Sequence, residues 1–492
     1  MRSSEQFSRV SESSRWQDTA VAATCRAPAF AGALSSSVSS ETGAGAGTPK
    51  LATGVEQLGE YQGSGLTEAT YLARNPSGRV VHVSRLLHLV LSEVDGARTA
   101  DEIADRVTAA FGRTVSADNV QYLLTNKLAP LGLLAAEETA SPPAQAAGHD
   151  PAILTLKFRR VLLPAPAVQQ IARLLRPLFS PVVVVGVLAC LIVSGIWLIS
   201  SGGFGSAFGY VLIHPMLLLL VLGLALLSML FHECGHAAAC RFGGARPGVI
   251  GMGLYVVWPA FYTNVTDAYR LGRAARIRTD LGGVYFNAIF TLPLAAAYLV
   301  TGYPPLFAAI MLIYLEIVQQ LLPSLRFDGY FILADLIGVP DLFRRIGPTL
   351  RSVIPGLPAD PAARALKPTA RITLTAWVLV VIPLLTSQVV LILVNAPTLA
   401  RTFAHSLDGQ AHAVVAQFGE LHVAVGLVSL ISVLLLILPA VGLCYILALT
   451  GRRTLRVAID FNRRHAALRY PSIAAVLLAA AALAVGWGLL RL

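Results

Sequence analysis

Long apolar runs constrain this chain more than any other feature. A bilayer crossing needs about 20 predominantly apolar residues. Runs of that kind stand at 181–200, 211–232, 281–300, 305–323, 372–394, 422–449 and 471–490. They predict an all-α polytopic membrane protein of about seven spans. Composition agrees: 55% of the 492 residues are hydrophobic and only 13% are charged, against about 25% charged in soluble domains. A disordered chain is excluded, and one large soluble enzyme is disfavoured.

The formal charge of +11 is unevenly spread. Residues 1–150 carry 12 Lys/Arg against 16 Asp/Glu, whereas residues 151–492 carry 26 against 11. With the segment before residue 181 cytoplasmic, the cytoplasmic stretches are 151–180, 241–280, 326–371 and 450–470. They hold 5, 6, 7 and 6 Lys/Arg, and the opposite side holds only Arg401 and Arg491. Excess Lys/Arg marks cytoplasmic loops. The pattern predicts a multi-pass plasma-membrane protein with a cytoplasmic N-terminal domain. Its partner in this part is the lipid bilayer, and no nucleic-acid partner is expected.

The five cysteines (Cys25, Cys190, Cys234, Cys240 and Cys444) are odd in number and mostly lie in apolar stretches. They argue against a disulfide framework. Cys234 and Cys240 flank a histidine, but without zinc-finger spacing. No continuous apolar core opens the chain, so no secretory signal is expected.

Residues 1–50 are rich in Ser, Ala, Gly and Thr and read as disordered. Residues 51–136 read as a small α+β, winged-helix-like domain. Two short strands surround the Pro-Ser-Gly turn within Tyr71–Val83. A helix spans about Arg85 to Val94 and stops at Asp95-Gly96. Thr99 and Glu102 form a capping-box pattern before a second helix with Ile103, Val107 and Phe111 on one face. Ser116 opens a third helix carrying Val120, Leu123 and Leu124. Residues 137–155 read as a linker.

Chemistry enters at the end of the second run, in Phe231-His-Glu-Cys-Gly-His236. On a helix, positions i and i+4 share a face, so His232 and His236 can grip one ion. Glu233 can then accept a proton from an attacking water. Polar and ionisable residues in an apolar span are costly and mark function. Imidazole with carboxylate suits Zn2+, and a catalytic zinc takes three protein ligands. Asp328, in Leu325-Arg-Phe-Asp-Gly-Tyr330, is the candidate third ligand. It lies just past the fourth run, on the same predicted side as the end of the second. By itself, Asp328-Gly329 also reads as a turn.

These motifs resemble the intramembrane site-2 proteases, which pair His-Glu-x-x-His on one span with a later Asp-Gly on another. The resemblance covers roughly residues 205–340 and is nearest the bacterial peptide zinc metalloprotease branch. Three segments carry it: Phe327–Pro340 around Asp-Gly-Tyr, Trp258–Arg270 after the first motif, and Gly283 to Asn287 on the third span. It implies Zn2+ held by His232, His236 and Asp328, with Glu233 catalytic. It also implies substrate contacts near Gly283 and Asn287. The family usually has Asn where this chain has Leu322, and often Asp where it has Asn264. Gln319 and Gln320, one turn before Leu322, can supply the missing amide, with span packing the other reading. Glu316 shares their face, and a buried structural role and a role in proton supply both stay open. Residues 243–257 read either as a re-entrant or interfacial hairpin, able to pair with an unwound substrate, or as a plain cytoplasmic loop.

Residues 51–136 are similar to the PqqD-like modules that recognise leader peptides of ribosomally made, post-translationally modified peptides. That similarity rests on the strand pair, Val83-Ser84, Leu86-Leu87, Val94-Asp95-Gly96 and the Thr99 to Val107 helix. It implies leader binding by strand addition. A DNA-binding winged helix is the competing reading, and the acidic balance of residues 1–150 speaks against it.

The organisation expected is therefore a disordered segment (1–50), a PqqD-like module (51–136), a linker (137–155), a zinc metalloprotease core (156–345) and additional transmembrane helices (346–492). The expected function is zinc-dependent peptide hydrolysis that removes the leader from a modified precursor peptide, with a layout like that of daptide-type pathways. The alternatives are a regulatory site-2 protease acting on a membrane-bound anti-sigma factor or signal-peptide remnant, and a non-hydrolytic relative in peptide export or immunity.

Overall fold

The computed structural model describes residues 48–78, 80–135, 156–212, 215–255, 258–353, 360–419 and 423–464. The N-terminal segment up to residue 47, the linker at 137–155 and the run at 471–490 lie outside the described residues.

The N-terminal module is a three-stranded antiparallel sheet in the order β1 (Glu56–Glu60), β2 (Thr70–Arg74), β3 (Val80–Ser84). Three helices follow: α1 (Arg85–Glu93), α2 (Ala100–Phe111) and α3 (Ala117–Leu123). Each helix starts at the hydroxyl residue whose side chain caps it, Ser84, Thr99 or Ser116. At α2 the full reciprocal capping box is present, and Gly112 ends the helix in a left-handed conformation. Such caps stabilise a helix by about 1 kcal/mol. The apolar faces of sheet and helices meet in one core that includes Val83, Leu91, Ile103, Val107 and Val120. The sequence pattern missed β1, whose Glu56, Gln57 and Gly59 break the alternation of a half-buried strand.

Among the described residues the rest is helical, with one further sheet. In chain order come β4 (Leu156–Leu163), α4 (Ala165–Leu175), α5 (Pro181–Ser200), α6 (Phe204–Leu212), α7 (Pro215–Phe242), β5 (Ile250–Tyr255) and β6 (Trp258–Thr263). Then follow α8 (Arg273–Asp280), α9 (Gly282–Thr301), α10 (Pro304–Leu321), α11 (Asp328–Ile337), α12 (Leu342–Val353), α13 (Pro368–Gly419) and α14 (Val423–Arg464), with a single turn at Pro361–Arg364 before α13. Five helices are long and apolar enough to cross a membrane: Pro181–Ser200, Met216–Phe242, Gly282–Thr301, Pro304–Leu321 and Pro368–Ala416. α5 leaves Val182, Val185, Ile192, Val193 and Ile196 exposed, which is the surface a lipid-facing helix presents.

Five such helices stand among the described residues, where the apolar runs predicted about seven. The run at 422–449 falls within α14, which follows the 52-residue α13. At 1.5 Å per residue α13 extends about 78 Å, more than twice a hydrocarbon core of about 30 Å. Pro383 and Pro397 lie inside it without ending it. The second span also differs from its predicted limits: α7 runs on past residue 232 to Phe242. Ala237, Ala238 and Ala239 continue it in the core, and Gly243-Gly244 stops it, with Gly244 at φ +98°. His-Glu-x-x-His therefore sits inside a continuous helix.

The 243–257 segment and its continuation contain a hairpin. β5 pairs with β6, and β4 pairs with the other edge of β5, all antiparallel. β6 is thus a sheet edge, and it packs against α7. The β4 strand went unforeseen because Lys157, Arg159 and Arg160 made its stretch read as a basic loop.

Candidate metal centre

Three ligand atoms converge, two from α7 and one from the start of α11. The Nε2 atoms of His232 and His236 lie 3.1 Å apart. Asp328 Oδ2 is 3.1 Å from the first and 3.5 Å from the second. Ligands at about 2.05 Å from a tetrahedral zinc stand about 3.3 Å from one another, so the three separations fit such an ion. Asp328 Oδ2 is buried and makes no well-aligned hydrogen bond among the described residues. An orphaned carboxylate oxygen facing two imidazoles is what a cation site leaves when only protein atoms are considered.

Each ligand has a local cause. His232 and His236 are one helical turn apart on α7 and so face the same way. The ring of His236 is fixed from behind, with Nδ1 2.8 Å from the carbonyl of Thr279 on α8. A carbonyl only accepts, so Nδ1 carries a proton, and Nε2 is the atom left facing the site. Asp328 is the first residue of α11, not a turn residue as its Asp-Gly sequence suggests. Gly329 explains that placement: a Cβ there would lie 2.3 Å from the carbonyl oxygen of Leu321, so only glycine lets α11 start against the end of α10. Trp377 Nε1 donates to the carbonyl of Pro323 at 2.8 Å and anchors the connection between these helices.

Electrostatics favours an ionised Asp328. Burial pushes its carboxyl up, but His236 and His232 outweigh burial and hold it well below the usual carboxylate range. Asp280 goes the other way: burial, with the nearby Asp335 adding to it, pushes its carboxyl well above that range.

Glu233 follows the first histidine and is also buried. The hydroxyl of Thr263, at the end of β6, lies 2.6 Å from Glu233 Oε2 and 3.0 Å from the Glu233 carbonyl. The edge strand therefore holds the carboxylate beside the ligands. Neither Thr263 nor Thr279 stood out in the sequence, although Thr263 lies in the Trp258–Arg270 segment. Glu316 is half-buried on α10.

The other candidate residues divide between the α7–α9 crossing and the end of α10. Gly283 lies under the His232 ring, where a Cβ would come within 2.3 Å of Nε2. Asn287 is fully buried, and its Oδ1 accepts from Ser228 Oγ at 3.2 Å. Both sit in the α7–α9 crossing, which Gly235 and Gly282 bring into close backbone contact. Gln319 is exposed and Gln320 half-buried, and Leu322 is exposed at the end of α10. Cys234 and Cys240 are both buried on α7.

The comparison with known proteins agrees with a peptidase. Over 122 residues, 24% of this chain, it is 30% identical to a Bacillus subtilis (strain 168) protein named "Putative peptide zinc metalloprotease protein YydH". The matching stretch spans 48% of that relative, about half its length. No family model matches the chain. No solved structure matches it either.

Proposed function

We propose that this protein is an intramembrane zinc metalloprotease of the site-2 type that removes the leader from a ribosomally made, modified precursor peptide. The observation that carries the hydrolytic part is the convergence of His232, His236 and Asp328, with Glu233 held alongside by Thr263. Bound zinc would act as a Lewis acid that polarises a carbonyl and makes water nucleophilic near neutral pH. His232, His236 and Asp328 would hold it. Glu233 takes the proton of the attacking water and passes it to the leaving amine. Thr263 keeps the Glu233 carboxylate turned toward the reacting atoms.

Substrate handling follows from the two sheets. Among the described residues β6 pairs with no strand beyond β5, and it ends at Thr263, so an unwound segment added to its other side would run past Glu233. In the N-terminal module β1 is an edge as well, and a leader would add there in the PqqD-like manner. The module reads as cytoplasmic from the Lys/Arg distribution, and the span-rich body as resident in the plasma membrane.

The test uses the full-length protein and precursor peptides encoded beside its gene. Cleavage that needs zinc and vanishes in Glu233→Gln, with zinc retained, supports the reading. Loss of both zinc and cleavage would deny Glu233 its role as base. Cleavage of a membrane-anchored anti-sigma factor, with none of a neighbouring precursor, would favour the regulatory alternative.

A further inference from the structure

Arg276 is the largest fully buried side chain among the described residues, 1% exposed. A buried guanidinium must fill all its donors. Nε donates to Asp335 Oδ1 at 2.9 Å, Nη1 to the Leu271 carbonyl at 2.8 Å, and both Nη atoms to the Gln62 carbonyl at 3.2 Å. Its face lies 4.3 Å from the centroid of the Tyr61 ring, and the Tyr61 hydroxyl donates to the same Asp335 oxygen at 2.9 Å. One side chain thus joins α8, α11 and the segment that follows β1 of the N-terminal module.

The two helices joined are the ones that support the metal centre from outside α7. On α8, Arg276 and Thr279 are three residues apart and share a face, and the Thr279 carbonyl holds His236. On α11, Asp335 lies seven residues beyond Asp328, two turns along the same face. The Arg276–Asp335 pair therefore fixes, at one end, two elements whose other residues place His236 and Asp328.

The module segment is seated closely on this joint. Arg273 Nη2 donates to the Gly63 carbonyl at 2.6 Å, Gly65 N to the Gly338 carbonyl at 2.8 Å, and Lys367 N to the Gly65 carbonyl at 2.8 Å. A Cβ on Gly65 would lie 2.1 Å from the Ile337 carbonyl oxygen, and one on Gly338 would lie 2.0 Å from that of Gly63. A flexible tether has no need of such backbone-to-backbone contact. A second anchor joins Arg74 on β2 to Asp267, just after β6, at 2.5 Å.

We propose that Arg276 and Asp335 are positioning residues of the metal centre, and that the N-terminal module completes their seat through Tyr61 and the Gln62 carbonyl. The module is then a built-in part of the hydrolytic centre as well as a recognition domain. This rests on the metal-centre reading above.

The experiment measures Zn2+ affinity by chelator competition, and the visible spectrum of the Co2+-loaded protein, on full-length Asp335→Asn and Tyr61→Phe in detergent. Tyr61→Phe removes one hydroxyl and keeps the ring, so it tests the joint even where Asp335→Asn fails to fold. Both variants should weaken zinc binding by about tenfold or more and alter the Co2+ spectrum. On a short peptide lacking any leader, kcat should fall while KM holds. Wild-type zinc affinity and Co2+ spectrum in Tyr61→Phe would overturn the proposal, as would a change confined to KM for leader-bearing substrate. Wild-type protein that binds no metal would instead defeat the metalloprotease reading itself.

Discussion

Gly283→Ala probes how tightly helix packing sets the metal ligands. An alanine Cβ at this position would lie 2.3 Å from His232 Nε2 and 2.5 Å from both Cδ2 and Cε1. An ordinary contact is about 3.5 Å, so the ring must withdraw by about 1 Å or the two helices must part. Parting is resisted next door, where Gly235 and Gly282 already bring α7 and α9 into backbone contact. Metal ligation tolerates only about ±0.2 Å. A 1 Å displacement of one ligand therefore removes it from the set, while overpacking by one methyl costs about 1–3 kcal/mol of stability. Zinc content after dialysis, by elemental mass spectrometry, should fall from one per chain to a small fraction. The thermal transition should drop only modestly. Gly223→Ala is the control: it lies on the same helix, α7, with open space where its Cβ would go, and it should keep its zinc. Full zinc occupancy and unchanged affinity in Gly283→Ala would refute the argument that this glycine exists to seat His232.

Further outcomes follow from the same site. Asp328→Ala should lose zinc, because two imidazoles alone make an incomplete set; retention in equilibrium dialysis would remove Asp328 from the ligands. Thr263→Val should keep zinc and lower kcat by about tenfold or more, the loss of one hydrogen bond to a charged group of about 1.5–3 kcal/mol; an unchanged kcat would show that β6 does not orient Glu233. Lowering the pH should weaken metal binding, because metal ligands must be deprotonated and protons compete with the ion for them. Zinc affinity that stays flat from pH 7 to pH 5 would argue against imidazole ligands.

The sequence carried much of this, through interactions that reach only a few residues. A span must satisfy its own backbone in lipid, so apolar length marked α5, α9 and α10 to within two residues. A hydroxyl three residues before a backbone N–H forms a cap, so Thr99 and Ser116 marked their helices. Helical period put His232 and His236 on one face before any packing was known. Where a helix continues is less local. α7 ran on to Phe242 because Ala237–Ala239 are buried by neighbouring elements, and α13 continued through two prolines.

The tertiary structure decided what met what. Asp328 lies 92 residues beyond His236, and no periodicity reaches that far; the close start of α11 at Gly329 brings it in. Thr263 and Thr279 are ordinary threonines until β6 and α8 are laid against α7. Arg276 reads in the sequence as one more charge in a basic loop, counted as a topology signal. Its burial between α8, α11 and the segment after β1 makes it a joint instead, because a guanidinium removed from water must take every partner it can reach, and here two of those partners, Asp335 and the Gln62 carbonyl, come from distant parts of the chain.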